Sequence, residues 1–280
     1  MGSTVPPLFI VGAPRSGNTL LRRVLMASDQ IYIPPETYVV GEILHRWPQW
    51  SKLKWHEKTR IIAACFEHHK HFEDFEVDSF RAFVRLADGL PESERTPQAA
   101  FDCLYKFMAQ EHGFTQTRWG DKTPWNTMFL KDIVKAFPDA YYLHVYRDGR
   151  DVVASQVKAE MRDVAQAAQR WTQANFACQK YLKLAKRQPI QIRYESLVRN
   201  PEAEFLKLFE WADLDFDPDY LVKIPKKLGD VGRHEHHAAV KRPITADSIG
   251  AWRKSLAASD FAALPPNFNS LLVNLGYSTD

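Results

Sequence analysis

The sequence predicts an α/β protein: a P-loop-type parallel sheet flanked by helices, with a helical insertion. An apolar run over 8–11 ends at Gly12 and is followed by a loop and a helical pattern over 19–27. Two later strand-like segments, the apolar 140–146 and the alternating 189–194, are each followed by a helical pattern as well. Strands that alternate with helices form parallel sheets, because each helix returns the chain to the same end of the sheet.

The composition is that of a folded globular chain, since 45% of the 280 residues are hydrophobic and 25% are charged. The net charge of +3 is too small for a nucleic-acid-binding protein, which needs a strongly basic face. No charge-free stretch approaches the ~20 residues of a membrane span, and no signal peptide is recognisable at the start. We therefore expect a cytoplasmic protein with no nucleic-acid or membrane partner. Its cysteines, Cys65, Cys103 and Cys178, are expected to be reduced.

The segment from about 41 to 113 is rich in aromatic residues and has little strand character. Amphipathic patterns predict helices near 57–72, 78–88 and 97–112. No linker-like tract flanks the segment, so we interpret it as a helical insertion within one domain that spans residues 1–280.

Residues 12–19 read G-A-P-R-S-G-N-T, which is close to the nucleotide-binding pattern G-x-x-x-x-G-K-[ST]. The backbone N–H groups of such a turn, together with the start of the next helix, bind a phosphate. Asn18 stands where that pattern has its lysine, and a cation comes earlier, at Arg15. Because an NTPase needs that lysine for its β- and γ-phosphates, we expect a phosphate that is not part of a triphosphate. Arg22 and Arg23 are expected as surface cations of the helix.

The second apolar strand ends at Arg147, and Ser155 follows in the next predicted helix. A guanidinium and a hydroxyl suit a second phosphate, since arginine offers a planar fork to phosphate oxygens. At this strand end a P-loop kinase or NTPase would be expected to have a carboxylate that binds Mg²⁺. Such an enzyme stays an alternative function, as does a non-catalytic protein that binds a nucleotide phosphate.

Four segments, in order, resemble the sulfotransferases that use 3′-phosphoadenosine-5′-phosphosulfate (PAPS). They are P-R-S-G-N-T-L-L at 14–21, R-D-G-R-D-V-V-A-S at 147–155, R-Y-E-S-L-V-R-N-P at 193–201 and S-I-G-A-W-R-K-S-L at 248–256. The resemblance implies the fold of that family, PAPS as sulfuryl donor and 3′-phosphoadenosine-5′-phosphate (PAP) as product. The donor contacts that it implies are Arg15, Ser16, Gly17, Asn18 and Thr19 at the 5′-phosphate, Arg147 and Ser155 at the 3′-phosphate, Tyr194 beside the adenine, and Ser248, Ile249, Gly250, Trp252 and Arg253 in a closing segment.

Two further segments are similar to the branch of this family that includes bacterial and tyrosylprotein sulfotransferases. Glu36 in P-P-E-T and Lys122 in G-D-K-T-P match the glutamate and lysine of that branch. The resemblance implies Glu36 as general base, and Lys122 with Arg15 as the cations that stabilise the departing phosphate. The K-T-H-type segment that supplies a histidine base in cytosolic sulfotransferases is not found. We expect a small-molecule acceptor with a hydroxyl or amine and no metal; a homodimer is left open.

Histidines occur in two groups that invite a metal interpretation. The groups are His68, His69 and His71, and His234, His236 and His237. The first group does not share one helical face, and neither has partners at a recognised zinc spacing, so we expect no metal site. The loop 229–242 is instead a candidate lid over the acceptor.

Overall fold

A computed structural model describes residues 5–115, 118–225 and 243–279. Within these ranges four parallel strands form a single sheet in the order β2-β1-β3-β4. The strands are β1 (Leu8–Val11), β2 (Gly120–Lys122), β3 (Tyr141–Tyr146) and β4 (Ile190–Arg193). The predicted parallel sheet is therefore confirmed, and β1 lies between β2 and β3, at its centre.

Helices surround this sheet. In the described residues the α-helices are α1 (Asn18–Ala27), α2 (Val40–Arg46), α3 (Trp55–Glu67), α4 (Arg81–Asp88), α5 (Pro97–Glu111), α6 (Leu130–Ala136), α7 (Gly149–Lys158), α8 (Val164–Tyr181), α9 (Tyr194–Arg199), α10 (Pro201–Trp211), α11 (Trp252–Ser255) and α12 (Phe268–Asn274). Helices α2 to α5 lie between β1 and β2 in the chain, so the predicted helical insertion is confirmed. Helix α3 ends at Glu67 rather than near 72, with His68 as its C-cap. None of the described helices is long and apolar enough to cross a membrane.

The core is built on β1, whose four residues are at most 1% exposed. Phe9 packs against the rings of Trp119, Phe137 and Tyr142 at centroid distances of 5.7, 5.4 and 5.6 Å. A strand covered on both faces must be apolar throughout, which explains the uninterrupted apolar run in the sequence. Burial of these rings holds the sheet against the helical insertion, since Trp119 also stacks on Tyr105 of α5 at 3.9 Å.

Strand β2 is the strand of the described sheet that the sequence pattern does not predict. It is only three residues long and reads Gly120-Asp121-Lys122, with no apolar side chain to mark it. It forms because its backbone pairs with β1 in parallel register, where Asp121 lies opposite Phe9. The pairing buries two charged side chains, so Lys122 is not part of the surface loop that a polar motif usually indicates.

The expectation that Arg22 and Arg23 are surface cations is wrong. Both side chains on α1 are at most 2% exposed. Arg22 donates from Nε to the carbonyl of Ile33 at 3.0 Å, and Arg23 donates to that of Leu221 at 2.7 Å. Their partners are distant in sequence, so a local helical pattern could not reveal them. The two guanidiniums tie α1 to neighbouring loops.

The carboxyl ends of β1 and β3 lie side by side, and this brings the two predicted phosphate motifs together. Gly12 follows β1 and lies so close to β3 that a Cβ there would stand 2.2 Å from the carbonyl oxygen of Val145. Only glycine allows this approach. Arg147 follows directly after β3, so it lies next to the loop 12–19. The carboxyl edge of a parallel sheet is where such folds bind ligands.

Candidate active site

The loop between β1 and α1 has the geometry of an anion site. Helix α1 begins at Asn18, and its first N–H groups have no partner within the helix. Gly17 precedes it with φ of 102°, a conformation that favours glycine, and Arg15 also has a positive φ, of 67°. A Cβ on Gly17 would come within 2.7 Å of the Tyr194 ring, so this ring lies directly on the loop.

Asn18 does not imitate the lysine that it replaces. Its amide nitrogen donates to the carbonyl of Ala13 at 2.8 Å and so closes the loop on itself. The side-chain oxygens of Asn18 and Ser16 are buried and have no hydrogen-bond partner within the described residues. Buried polar atoms without partners are costly, so they mark a place where a bound group would complete the hydrogen bonding.

Two arginines converge beside this loop. Arg15 donates from Nε to the hydroxyl of Ser155 at 3.1 Å, and Arg147 donates to the carbonyl of Arg15 at 3.2 Å. Burial and the nearby Arg147 guanidinium lower the pKa of Arg15, because both disfavour its positive charge. Two cations held this closely favour an anion with more than one negative charge.

Arg147 joins the loop to two other predicted segments. Its guanidinium lies 4.4 Å from the centre of the Tyr194 ring and donates to the carbonyl of Ser248 at 2.7 Å. The hydroxyls of Tyr194 and Ser248 are 2.9 Å apart. The Nε of Arg147 is buried without a partner in the described part of the chain. The structure thus brings Arg147, Tyr194 and Ser248 together, and their contacts with a donor stay predictions.

Asp151 in α7 anchors the closing segment, and sequence reasoning missed it. Its carboxylate accepts from the backbone N–H of Gly250 at 2.8 Å and of Trp252 at 3.0 Å. Burial raises the pKa of this carboxyl group, while the two hydrogen bonds oppose that rise. The Trp252 ring lies against the guanidiniums of Arg150 and Arg253, at 4.2 and 4.5 Å from their central carbons. Asp151 is the last residue of R-D-G-R-D at 147–151, a pattern that is equally typical of a solvated turn.

Glu36 and Lys122 form an ion pair. The ammonium of Lys122 lies 2.5 Å from Oε1 of Glu36, and the lysine side chain is fully buried. Glu36 follows two prolines, 34 and 35, which restrict the backbone before it. The family resemblance implies that Lys122 lies with Arg15 at the departing phosphate; in the structure its ammonium contacts the carboxylate of Glu36, the candidate base, directly.

A cleft of about 1590 Å³ connects these features. Of the predicted residues, those that line it are Arg15, Gly17, Asn18, Thr19, Glu36, Arg147, Ser155, Tyr194 and Ser248. Those that do not line it are Ser16, Lys122, Ile249, Gly250, Trp252 and Arg253. Lining residues that the sequence analysis did not name as site residues include Tyr38, His71, Asp74, Trp125 and Arg170. They come from the insertion and neighbouring segments, and no short motif marked them.

Of the first histidine group, His71 lines this cleft, beside Tyr38. The Tyr38 ring stacks on His69 at 5.1 Å and on His71 at 4.9 Å, and His71 lies 3.3 Å from Asp74. Within the described ranges no group of three or more His, Cys, Asp or Glu side chains is arranged to hold a metal ion. The second group, His234, His236 and His237, and the lid predicted over 229–242 lie outside the described residues.

Comparison with known proteins decides the family. A sequence profile described as "Sulfotransferase family" matches residues 6–218. The chain belongs to the sulfotransferase family. A protein-tyrosine sulfotransferase A from Caenorhabditis elegans is 26% identical over 98% of this chain and 68% of its own length. A protein-tyrosine sulfotransferase from Drosophila melanogaster is 25% identical over 76% of this chain and 39% of its own length.

Solved structures share the fold of this sulfotransferase. The sulfotransferase domain of the Synechococcus PCC 7002 olefin synthase superposes with a TM-score of 0.64 at 22% identity, over 98% of this chain and 96% of that one. The sulfotransferase domain of the curacin biosynthetic pathway superposes with a TM-score of 0.62 at 19% identity, over 99% of this chain and 100% of that one. These structures confirm the fold, and the profile match confirms both the recognition of a sulfotransferase from sequence motifs and the enzyme class.

Proposed function

We propose that this sulfotransferase moves the sulfuryl group of PAPS to a hydroxyl, or an amine, of a small-molecule acceptor, with Glu36 as general base. The observation that carries the proposal is the arrangement of one cleft. Its walls include two converging arginines, Arg15 and Arg147, and the Glu36 carboxylate that Lys122 holds. In this proposal residues 1–280 form one cytoplasmic, sulfotransferase-like domain.

The donor fits the polar atoms around the loop. The N-terminus of α1, with Ser16 and Thr19, would hold the 5′-phosphate, because its N–H groups and the unpartnered Ser16 hydroxyl can donate. Arg147 and Ser155 would hold the 3′-phosphate, with the unpartnered Nε of Arg147 available to it. The Tyr194 ring offers a flat apolar surface to the adenine. A donor with two separate phosphates accounts for both arginines, which one phosphate would not require.

The transfer needs a base on the acceptor side and cations on the donor side. The oxygen of the acceptor hydroxyl would form a bond to sulfur while Glu36 takes the proton of that hydroxyl. The bond between sulfur and the bridging oxygen of PAPS breaks, and its electron pair stays on the 5′-phosphate of PAP. Arg15 and Lys122 would stabilise the charge that develops there, which is how preorganised cations accelerate such a step. The Lys122 ammonium would then contact both the Glu36 carboxylate and the 5′-phosphate of the donor.

The alternative of a P-loop kinase is less compatible with the site. The Asn18 side chain is engaged with Ala13 and cannot replace a phosphate-binding lysine. Arg147 follows β3, the strand beside β1, where a Mg²⁺-binding carboxylate would be needed. These features favour a sulfuryl donor whose phosphates are bound by arginine rather than by a metal.

Calorimetry tests the donor. We expect PAP to bind and ATP with Mg²⁺ to bind far more weakly. Arg147→Ala should weaken PAP binding by roughly 2–5 kcal/mol, since a buried charge-assisted contact is lost, and Arg147→Lys should recover only part because it lacks the planar fork. Lys186→Ala, at an exposed pair with Asp139, is the control and should bind PAP normally. Tight ATP binding, or unchanged PAP affinity in Arg147→Ala, would contradict the assignment.

The acceptor is tested with PAPS that carries radioactive sulfur. A second candidate acceptor is the phenol of a peptide tyrosine, because two relatives that match 98% of this chain are named protein-tyrosine sulfotransferases. Label transferred to small phenols, alcohols or amines but not to a tyrosine-containing peptide supports the small-molecule acceptor. Label on the peptide alone overturns it, and no transfer to any acceptor would favour a non-catalytic binder.

A further inference from the structure

We infer that Asp121 is a positioning residue that fixes the Glu36–Lys122 pair in the cleft, and this inference rests on the proposed function. Asp121 does not line the cleft, yet it lies directly before Lys122 in β2. Its partner Thr37 lies directly after Glu36. The buried hydrogen bond between Thr37 and Asp121 therefore lies one residue from Glu36 on one segment and one residue from Lys122 on the other.

The Asp121 carboxylate is 1% exposed and accepts from three side chains. Its Oδ2 accepts from the hydroxyl of Thr37 at 2.7 Å and from that of Tyr105 at 2.6 Å. Its Oδ1 accepts from the amide of Asn126 at 2.7 Å. Burying a carboxylate costs several kcal/mol, even with partners, and a purely structural position in the core is usually apolar. A fully hydrogen-bonded carboxylate here gives the two segments one defined arrangement.

A second bond strengthens the connection. The backbone N–H of Thr37 donates to the hydroxyl of Thr123 at 2.9 Å. Residues 36–37 and 121–123 are thus joined at four points: this bond, the Asp121–Thr37 bond, a 3.2 Å contact between the hydroxyls of Thr37 and Thr123, and the Glu36–Lys122 ion pair. The segment that carries Glu36 has no pairing within a named helix or strand, so these contacts define where its carboxylate lies. A displacement of about 1 Å can cost a factor of ~10² in turnover.

The experiment compares two hydroxyls on the same carboxylate oxygen. Thr37→Val removes the hydroxyl that ties Asp121 to the Glu36 segment, while Tyr105→Phe removes the one that ties Asp121 to α5. Positioning predicts that Thr37→Val lowers kcat by about 10-fold or more, with PAP affinity and the KM for PAPS unchanged. Thr37→Ser keeps the hydroxyl and should retain kcat. Tyr105→Phe should lower the melting temperature without a comparable loss of kcat.

An exchange of partners provides a second test. In Asp121→Asn the amide N–H faces either the donating amide of Asn126 or the hydroxyls of Thr37 and Tyr105, which would then have to accept, so kcat should fall. Asp121→Asn with Asn126→Asp restores an acceptor to that contact, and a carboxylate at 126 can still accept from the N–H of Gly41, which now lies 3.3 Å from the Asn126 oxygen. The double variant should regain most of the kcat that the single variant loses.

Equal effects of Thr37→Val and Tyr105→Phe on kcat, or no effect of either, would overturn the inference and leave Asp121 a support of the fold. Failure of the double variant to exceed Asp121→Asn in kcat, when both melt at the same temperature, would also overturn it. Sulfuryl transfer by the wild-type protein is measured in the same assay. If the wild type transfers nothing from PAPS, the proposed function fails first, and the inference falls with it.

Discussion

At the scale of single residues, the contact between Glu36 and Lys122 decides how the cleft can be tested. The lysine side chain is fully buried, so its ammonium depends on a nearby acceptor. Removing the carboxylate by truncation would leave that charge without its partner, which typically costs several kcal/mol and confuses catalysis with stability. A substitution that keeps an oxygen acceptor separates the two effects.

Glu36→Gln is that substitution. The amide oxygen can still accept from Lys122, but it cannot take a proton from the acceptor, so turnover should fall by about 10²-fold or more. PAP affinity should stay near that of the wild type, because the interaction is lost only in the transition state. Steady-state turnover and calorimetry measure the two effects.

Asp74→Asn is the matched control, since Asp74 is a second carboxylate on the wall of the same cleft. It should reduce turnover much less than Glu36→Gln. Wild-type turnover in Glu36→Gln together with a large loss in Asp74→Asn would assign the base to the insertion instead.

Residues in short motifs were accessible to sequence reasoning, and residues in long-range contacts were not. Arg15 and Arg147 were found because a glycine-bounded loop and a strand end mark their positions. Asp121 was not found, because the hydroxyls that define its environment are 84 and 16 residues away in the chain. Burial of Arg22 and Arg23 escaped notice for the same reason, since their carbonyl partners lie outside α1.

At the scale of elements, apolar patterns found three of the four strands. β1 and β3 are mainly apolar, and β4 alternates apolar and polar residues as Ile-Gln-Ile-Arg; local patterns detect both kinds of strand. β2 consists of Gly120-Asp121-Lys122 and is a strand only because β1 offers it a backbone partner. On its other side β2 has no partner strand in the described sheet, but the backbone N–H of Gly120 donates to the carbonyl of Tyr32 at 2.8 Å.

The loop between β1 and α1 offers a test of the element that would bind the donor. Gly17→Ala adds a methyl group that would lie 2.7 Å from the Tyr194 ring, at a residue with φ of 102°. The left-handed backbone costs about 1–2 kcal/mol in any non-glycine residue, and the collision should also displace the ring from the donor site. We expect weaker PAP binding by calorimetry and a lower melting temperature.

Gly113→Ala isolates the cost of the backbone. Gly113 has φ of 74°, and a Cβ there meets no atom within 4 Å. This variant should lose stability through backbone strain but keep the PAP affinity of the wild type. If both alanine variants bind PAP equally well, the packing of Tyr194 on the loop does not contribute to donor binding.

At the scale of the whole molecule, the sheet contains a titratable group that bears on stability. His144 lies in β3 at 1% exposure, and its Nε2 is 3.2 Å from the side-chain oxygen of Asn175 in α8. Its other ring nitrogen is buried without a partner in the described residues. Burial lowers the pKa of His144 from 6.5 to about 4, because the charged imidazolium is not solvated there. The folded protein therefore holds this ring neutral under conditions in which the unfolded chain protonates it.

This difference makes the free energy of unfolding depend on pH. Between pH 6.5 and about 4 the unfolded chain binds a proton at His144 that the folded chain does not, so stability falls as the pH is lowered through that range. The full effect is about 3 kcal/mol, reached near the lower limit. His144→Gln keeps a donor for Asn175 and removes the titration, so its stability relative to the wild type should rise as the pH falls. Urea unfolding at about pH 7 and about pH 5 measures the change, and groups such as Asp121 contribute equally to both proteins.

His56→Gln, at an exposed position of α3, is the control and should give a pH dependence parallel to that of the wild type. A His144→Gln curve parallel to the wild type would show that the imidazole is protonated in the folded sheet.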